Sequence, residues 1–263
     1  MTTFPNKKKN AFVLTSTDHG TMIVNRFDYQ RLPDGRSYGV GHELLDFSSF
    51  SRDEIDRVVS LLHKRRDLHG DGVVAIDGGA NVGAHSLAWG RAMLGWGGVI
   101  AFEAQERVFY ALAGNIALNN LINVRALNVA LAARAELLTI PEPDYLTPAS
   151  FGSYELRRNT ANEDFGQSVY GNRTVSVSAI PIDQLGLERL DLLKLDIEGM
   201  EIEALEGARE TIGRCRPVVF VEWIKSGKAP LVALLAGHGY EVFEDGLNLL
   251  AIHKSDRMLE NRA

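Results

Sequence analysis

Residues 73–83 read Val73-Val74-Ala75-Ile76-Asp77-Gly78-Gly79-Ala80-Asn81-Val82-Gly83, a short apolar run that ends in an acid and enters a glycine-rich turn. An unbroken apolar run of this length predicts a strand buried on both faces, as in a parallel sheet. The rhythm recurs downstream. Val99-Ile100-Ala101-Phe102-Glu103, Val124 to Leu131, Leu190 to Asp196 and Pro217 to Glu222 are further runs of the same kind. Helix-like stretches at 84–94, 106–120, 199–213 and 229–237 separate them. Strands alternating with helices predict an α/β fold with a doubly wound parallel sheet. The tail from Tyr240 to His253 reads as two strands around a turn at Gly246-Leu247-Asn248, which predicts an antiparallel hairpin at one edge.

Upstream of this pattern, residues 1–50 are polar, with strand-like pieces such as Met22-Ile23-Val24 and turn signals around Leu32-Pro33-Asp34-Gly35. Ser51 and Glu54 have the S-x-x-E spacing of a capping box, and Ile55, Val58, Val59 and Leu62 follow at helical spacing, so a helix is expected from Ser51. His69-Gly70-Asp71-Gly72 closes that unit. Between Arg134 and Asp183 the alternation breaks. Leu137 to Ile140 and Thr174 to Ile180 read as strands, and the polar stretch Pro141 to Arg173 between them is long for an idle connection. The expected organisation is an extension over 1–70 packing on a core domain over 71–263, with an insertion at 135–182 before the fourth strand.

Composition excludes several classes. The chain has 263 residues, 45% hydrophobic and 24% charged, which is ordinary globular usage and enough apolar material for a core. No uncharged apolar run approaches the roughly 18 residues that span a bilayer. The basic opening from Met1 to Lys9 is not followed by the apolar segment of a secretory signal. A single cysteine, Cys215, excludes an internal disulfide and any multi-cysteine metal site. A net charge of -6 gives no footprint for a nucleic-acid backbone. The expectation from composition is a soluble cytoplasmic α/β enzyme.

The glycine turn carries the first chemical signal. Gly79 lets the backbone turn tightly beside a ligand, and Gly83 lets the following helix pack close to the strand. Asn81 stands where a middle glycine would admit a pyrophosphate, and Asp77 puts a negative charge where a diphosphate would lie. Both suit a cofactor that carries an ammonium group. Glu103 ends the second strand, 24 residues beyond Gly79, where a carboxylate can accept from both hydroxyls of a ribose. NAD would use that acid as well. Asp77 and Asn81 separate the two cofactors in favour of S-adenosylmethionine.

Four segments together resemble the FkbM family of S-adenosylmethionine-dependent methyltransferases. They are Ile76 to Gly83; Phe102-Glu103-Ala104-Gln105 with Asn115-Ile116-Ala117-Leu118-Asn119; Ala126 to Leu131; and Leu192-Leu193-Lys194-Leu195-Asp196-Ile197-Glu198-Gly199-Met200-Glu201, leading to Gly207-Ala208 and Pro217 to Glu222. The likeness runs from about residue 73 to 253, and the last segment is the most specific. It implies a class I methyltransferase, Rossmann-like sheet of seven strands with a reversed final strand. It also implies that Asp77, Gly79 and Asn81 line the methionine end of the cofactor, that Glu103 holds the ribose and that Asn128 lies near the adenine. The chain departs from the family pattern at Gly78, often aliphatic there, and at Ala104, often proline.

Asp196 and Glu222 end the fourth and fifth strands, so both carboxylates are expected along the edge where ligands of such sheets bind. Transfer to a neutral hydroxyl needs a base, because the alcohol is a poor nucleophile. Asp196, Glu198 or Glu222 can serve, or together they can hold a divalent cation that lowers the hydroxyl pKa. Glu201, Glu203 and Glu206 read as acids favoured by a helix N-terminus. His85 reads as a capping or packing residue, with cofactor contact as the alternative. Lys225 reads as an exposed loop charge, with a pair to Glu222 or contact with an anionic substrate as alternatives. Ser150 to Leu156 and Gly166-Gln167-Ser168 mix aromatic, hydroxyl and amide groups in a way that suits a polyhydroxylated ligand. Met93 to Trp96 reads as core. The resulting function is O-methylation of a hydroxyl of a sugar, glycan or glycosylated natural product, with a small-molecule or glycan acceptor as partner; the rivals are an NAD-dependent oxidoreductase and a cofactor-binding partner protein without catalysis.

Overall fold

The structure, a computed structural model, describes residues 10–157, 165–167 and 173–262. The chain opens with a hairpin, β1 (Phe12–Thr17) and β2 (Gly20–Asn25), then a short pair, β3 (Gln30–Arg31) and β4 (Ser37–Tyr38), and helices α1 (Val40–Asp46) and α2 (Arg52–His69). The core follows as β5 (Val73–Gly78), α3 (Ala84–Ala92), β6 (Gly97–Phe102), α4 (Glu106–Leu118) and β7 (Val124–Leu127). Next come β8 (Ala130–Leu131) and, within residues 135–182, β9 (Glu136–Pro141) and β10 (Thr174–Ile180). Then come β11 (Leu192–Leu195), α5 (Glu201–Glu206), α6 (Arg209–Cys215), β12 (Val218–Glu222), α7 (Lys228–Gly237), β13 (Tyr240–Asp245) and β14 (Asn248–His253).

Seven strands form one sheet in the order β13-β14-β12-β11-β5-β6-β7. The pairs from β12 to β7 are parallel, and β14 runs antiparallel to both β12 and β13. This is the class I methyltransferase arrangement expected from the sequence. Alternation along the central strands divides the core in two. Val73, Ala75 and Leu192 point into one apolar cluster with Val58, Leu62, Leu87 and Trp89 of α2 and α3. Ile76, Leu193 and Leu195 point into the other, with Leu205, Ile212, Leu231 and Leu235 of α5, α6 and α7. Met93 and Trp96 lie in the first cluster, as packing residues. Each such side chain, fully removed from water, contributes about 1.5–3 kcal/mol.

The N-terminal hairpin docks on α4 through the fully buried Asn115, which accepts from the Ile23 amide at 2.5 Å and donates to the carbonyls of Ile23 and Val82. Asn119 adds a bond to the Thr21 carbonyl. Among the described residues no helix is long and apolar enough to cross a membrane.

Three sequence expectations are corrected. The run from Val124 to Leu131 is two strands in two sheets, because Asn128 bends the chain: its amide donates to the carbonyls of Glu103 and Ala104, and β8 leaves to pair with β10. The capping box does not form. Ser51 has a left-handed backbone and makes no capping bond, while Glu54 reaches His85 and Asn248. The helix expected over 199–213 is two, because Asp183, just past the insertion, accepts from the amides of Glu210 and Thr211 and starts α6 afresh.

Candidate active site

The carboxyl ends of β5, β6, β11 and β12 meet at a cavity of about 380 Å³. Its first wall is the glycine turn. Gly79 has φ +77°, and a β-carbon there would lie 1.7 Å from the main-chain oxygen of Asp196, so only glycine lets the turn press against the end of β11. Gly83, at φ +96°, lies against Leu112 of α4 in the same way and allows α3 to start close to the sheet. Asn81 takes the left-handed conformation that asparagine tolerates, with its side-chain oxygen accepting from the Val82 amide at 2.7 Å.

That turn is fixed to Glu103. The Asn81 amide donates to one Glu103 oxygen at 3.0 Å and the Gln105 amide to the other at 2.8 Å. Burial pushes the Glu103 carboxyl up to about 7 against the pull of those two donors and of the Ala104 amide, and nearby Asp77 adds to the rise. Gln105 continues the chain of contacts into the insertion: it donates to the Phe151 carbonyl and accepts from the Tyr145 hydroxyl.

The second feature is acidic. Asp196, Glu198 and Glu222 each bring a carboxylate oxygen within 4.8 Å of the others, a spacing that can hold a divalent ion. Burial raises Glu198 to about 8, and Asp196 adds to that rise. Burial and the charges of Asp196 and Glu198 also raise Glu222. Glu198 holds a left-handed backbone, φ +54°, on the loop after β11. The loop is clamped by Glu201, whose carboxylate accepts from the amides of Ile197 and Gly199 and from the Ser226 hydroxyl. Glu201 is therefore more than a helix-end charge. Glu203 pairs with Arg157 of the insertion.

Two lysines balance these acids. Lys194, 2% exposed in the middle of β11, lies 3.3 Å from Asp196 and 3.6 Å from Asp77. Burial alone would lower its pKa; Asp196, Asp77 and Glu54 more than offset that and keep it charged. Lys225 is not an exposed loop charge. Its side chain is 9% exposed and pairs with Glu155 and Glu198 rather than with Glu222.

The remaining lining comes from the N-terminal segment (Tyr38, Glu43 and Phe50) and from the insertion (Ser150, Ser153 and Tyr154). Asp28 joins the two: fully buried, it accepts from the amides of Phe151 and Gly41, and burial pushes it up to about 7 despite both bonds. His85 also lines the cavity, with Nε2 2.9 Å from Glu54 and its ring edge-on to Phe50 and Trp89.

Of the residues singled out in the sequence, Gly79, Asn81, Glu103, Asp196, Glu198 and Glu222 line this cavity. Asp77 lies behind it, fully buried, accepting from the Ser86 hydroxyl and facing Lys194. Gly83 is at the packing contact already described. Asn128 lines a neighbouring cavity of about 320 Å³ instead. Gln167 is tied to Asp144 and Thr147, and Ser168 lies outside the described residues. Lys194, Glu43 and Asp28 carried no role in the sequence reading. A charge inside the apolar strand Leu192–Leu195 was a usable sign for the first; nothing local marked the other two.

The family model for the methyltransferase FkbM domain matches residues 77–242. No curated protein sequence matches the chain. Among solved structures, the chain is similar to a methyltransferase FkbM from Methylobacillus flagellatus KT, with TM-score 0.47 and 16% identity, covering 70% of this chain and 44% of that one. It is also similar to a precorrin-6y C5,15-methyltransferase from Geobacter metallireducens GS-15, with TM-score 0.41, 15% identity and coverage of 75% and 86%. A third likeness is to a SAM-dependent methyltransferase from Aquifex aeolicus, with TM-score 0.37, 14% identity and coverage of 78% and 97%. The chain thus spans less than half the length of the Methylobacillus protein.

Proposed function

The chain belongs to the FkbM methyltransferase family, and from that premise we propose that it O-methylates a hydroxyl of a sugar, a glycan or a glycosylated small molecule. S-adenosylmethionine is the methyl donor of this methyltransferase. The observation that carries the proposal is the meeting, in one cavity, of a buried acid suited to a ribose and three carboxylates at neighbouring strand ends.

The residues fit that donor. Glu103 lines the cavity as an acceptor already oriented by the Asn81 and Gln105 amides, so that in its ionised form it would accept from the ribose hydroxyls. Gly79 and Asn81 would border the methionine end, and the surrounding carboxylates favour a ligand with positive groups. Asp77 would support that end only indirectly, by holding Lys194 behind the cavity, and Asn128 would support the adenine side only by bracing the chain after Glu103. Bound S-adenosylmethionine supplies a methyl group on positively charged sulfur, open to in-line displacement.

The chain's own residues would prepare the nucleophile. Asp196 accepts the proton of the acceptor hydroxyl, so that oxygen can attack as the proton leaves. Lys194 holds the Asp196 carboxylate in place. Glu198 and Glu222, raised by burial, can keep protons near neutral pH and donate hydrogen bonds to the acceptor's other oxygens. Tyr38 and Phe50 line the cavity with aromatic rings, and Ser150 and Ser153, whose hydroxyls bond each other, add polar lining, a mixture suited to a polyol.

The spacing of the three carboxylates favours a second version, in which they hold Mg²⁺ or Mn²⁺ and the ion lowers the hydroxyl pKa. Transfer of a labelled methyl group to a panel of methyl glycosides, with and without a chelator, tests both. Labelled methyl ethers support the proposal, and chelator sensitivity reversed by Mg²⁺ selects the metal version. Label on nitrogen or carbon acceptors alone would refute O-methylation.

A further inference from the structure

Part of the cavity lining lies ahead of the region that matches the family: Tyr38, Val40, Glu43 and Phe50 all precede residue 77. This stretch is held in place by tertiary contacts and does not depend on local helix or strand alone. Asp28 binds the Gly41 amide from one side and the Phe151 amide from the other, and its carbonyl accepts from His42. The Phe50 amide donates to His19 Nε2 at 3.0 Å, and the Asp18 amide donates to the Ser48 carbonyl at 2.7 Å. Ser48 and Ser51, on either side of Phe50, both have left-handed backbones, φ 58° and 44°. Such conformations persist where surrounding contacts impose them.

Two side chains of this wall face the cavity, and one of them, Glu43, has no structural partner among the described residues, while Phe50 packs partly against the first core cluster. The Glu43 carboxylate has no hydrogen bond or ion pair among the described residues, although it lines the cavity and is partly buried. Phe50 stands edge-on to His85 and leaves part of its ring on the cavity. A carboxylate with free lone pairs and an aromatic ring lining the same cavity match a sugar: hydroxyls donate to the acid, and the C–H face of the ring stacks on the aromatic.

We propose that Glu43 and Phe50 are acceptor-recognition residues, and that the acceptor they select is an uncharged or amine-bearing polyol rather than a phosphorylated one. The inference rests on the proposed sugar O-methylation. Among the described residues the lining offers acids and no free cation: Asp196 and Glu43 stand in it with Glu103, Glu198 and Glu222, and its lysine, Lys194, is already engaged with Asp77 and Asp196. A phosphate placed there would meet the Asp196 carboxylate without a cation to pair with. The Glu43 carboxylate adds an acceptor for hydroxyl or ammonium donors on the N-terminal wall.

The test uses the full chain with methyl glucoside, methyl galactoside, glucosamine and glucose 6-phosphate as probes. Saturation-transfer NMR on protein loaded with S-adenosylhomocysteine reads contact without turnover, and labelled methyl transfer reads KM and kcat. The variants are Glu43→Gln and Phe50→Ala, with Phe50→Leu in reserve if the alanine variant does not fold. The expected result is a KM for the glycoside raised about 10-fold or more in each, with S-adenosylhomocysteine affinity within twofold of wild type. Wild type should disfavour the phosphate by at least about 10-fold in kcat/KM, a ratio that narrows in Glu43→Gln. Glycoside methylation with KM unchanged in both variants, or with glucose 6-phosphate preferred, would overturn the recognition role and leave sugar O-methylation standing. Failure of wild type to bind or methylate any of the sugars would remove both together.

Discussion

Gly79 and Asp196 touch backbone to backbone: the α-carbon of one leaves room for no β-carbon beside the main-chain oxygen of the other. This contact sets the distance between the two halves of the site, the turn at the end of β5 and the acid at the end of β11. Gly79→Ala is expected to weaken S-adenosylhomocysteine binding by at least about 10-fold and to lower Tm. The left-handed backbone alone costs alanine about 1–2 kcal/mol, and the added methyl must push Asp196 away. Calorimetry and thermal melting of the same preparation check both effects.

Glu103 gives cofactor binding a pH dependence of definite sign. Its carboxyl is pushed up to about 7 from a reference of 4.5, so below pH 7 the empty site holds a proton. A ribose that donates to the ionised form must displace it. Affinity for S-adenosylhomocysteine should therefore rise from about pH 5.5 to 7.5 and then level off, with proton release seen in buffers of different ionisation enthalpy. The same shift makes the unliganded fold lose stability as pH rises from 4.5 through 7, since the folded state is the one that keeps the proton. Glu103→Gln should flatten both trends and weaken binding by about 1.5–3 kcal/mol.

Glu198 holds a left-handed backbone that glycine would adopt without strain, and its carboxyl is buried against Asp196. Glu198→Gly should raise stability by up to about 1 kcal/mol while lowering turnover at least tenfold. Lys225 keeps Glu155 as a partner in that variant. A thermal melt set beside an activity assay separates the two effects; loss of stability would refute the strain at this position.

Asp28 spans two segments distant in sequence, accepting from Gly41 and from Phe151. Asp28→Ala leaves two buried amides without an acceptor and should cost about 2–4 kcal/mol in chemical denaturation. Asp28→Asn keeps one oxygen and should cost less.

Much of this was legible in the sequence because it is local. Alternating apolar runs and helices give the doubly wound parallel sheet, and an acid placed at the end of each of β6, β11 and β12 marks the ligand edge from the sequence alone. What was not legible depends on partners far along the chain. Phe151 follows Asp28 by 123 positions, and Asn248 follows Glu54 by 194. The spacing of Ser51 and Glu54 suggested a local cap, but the long-range bonds to His85 and Asn248 take the Glu54 carboxylate instead. Asn128 looked like part of one continuous strand, yet its amide bends the chain between two sheets. Asp77 looked like a ligand-facing acid, whereas the ammonium opposite it is the chain's own Lys194.

The central claim is that a strand-end carboxylate takes the proton as the acceptor oxygen is methylated. Asp196→Asn tests it most directly, since it keeps the shape and the contact with Lys194's position while removing the charge. Single-turnover methyl transfer to a glycoside should fall by about two to four orders of magnitude, with S-adenosylhomocysteine affinity within a few fold of wild type. Transfer at a near-normal rate in Asp196→Asn would contradict it.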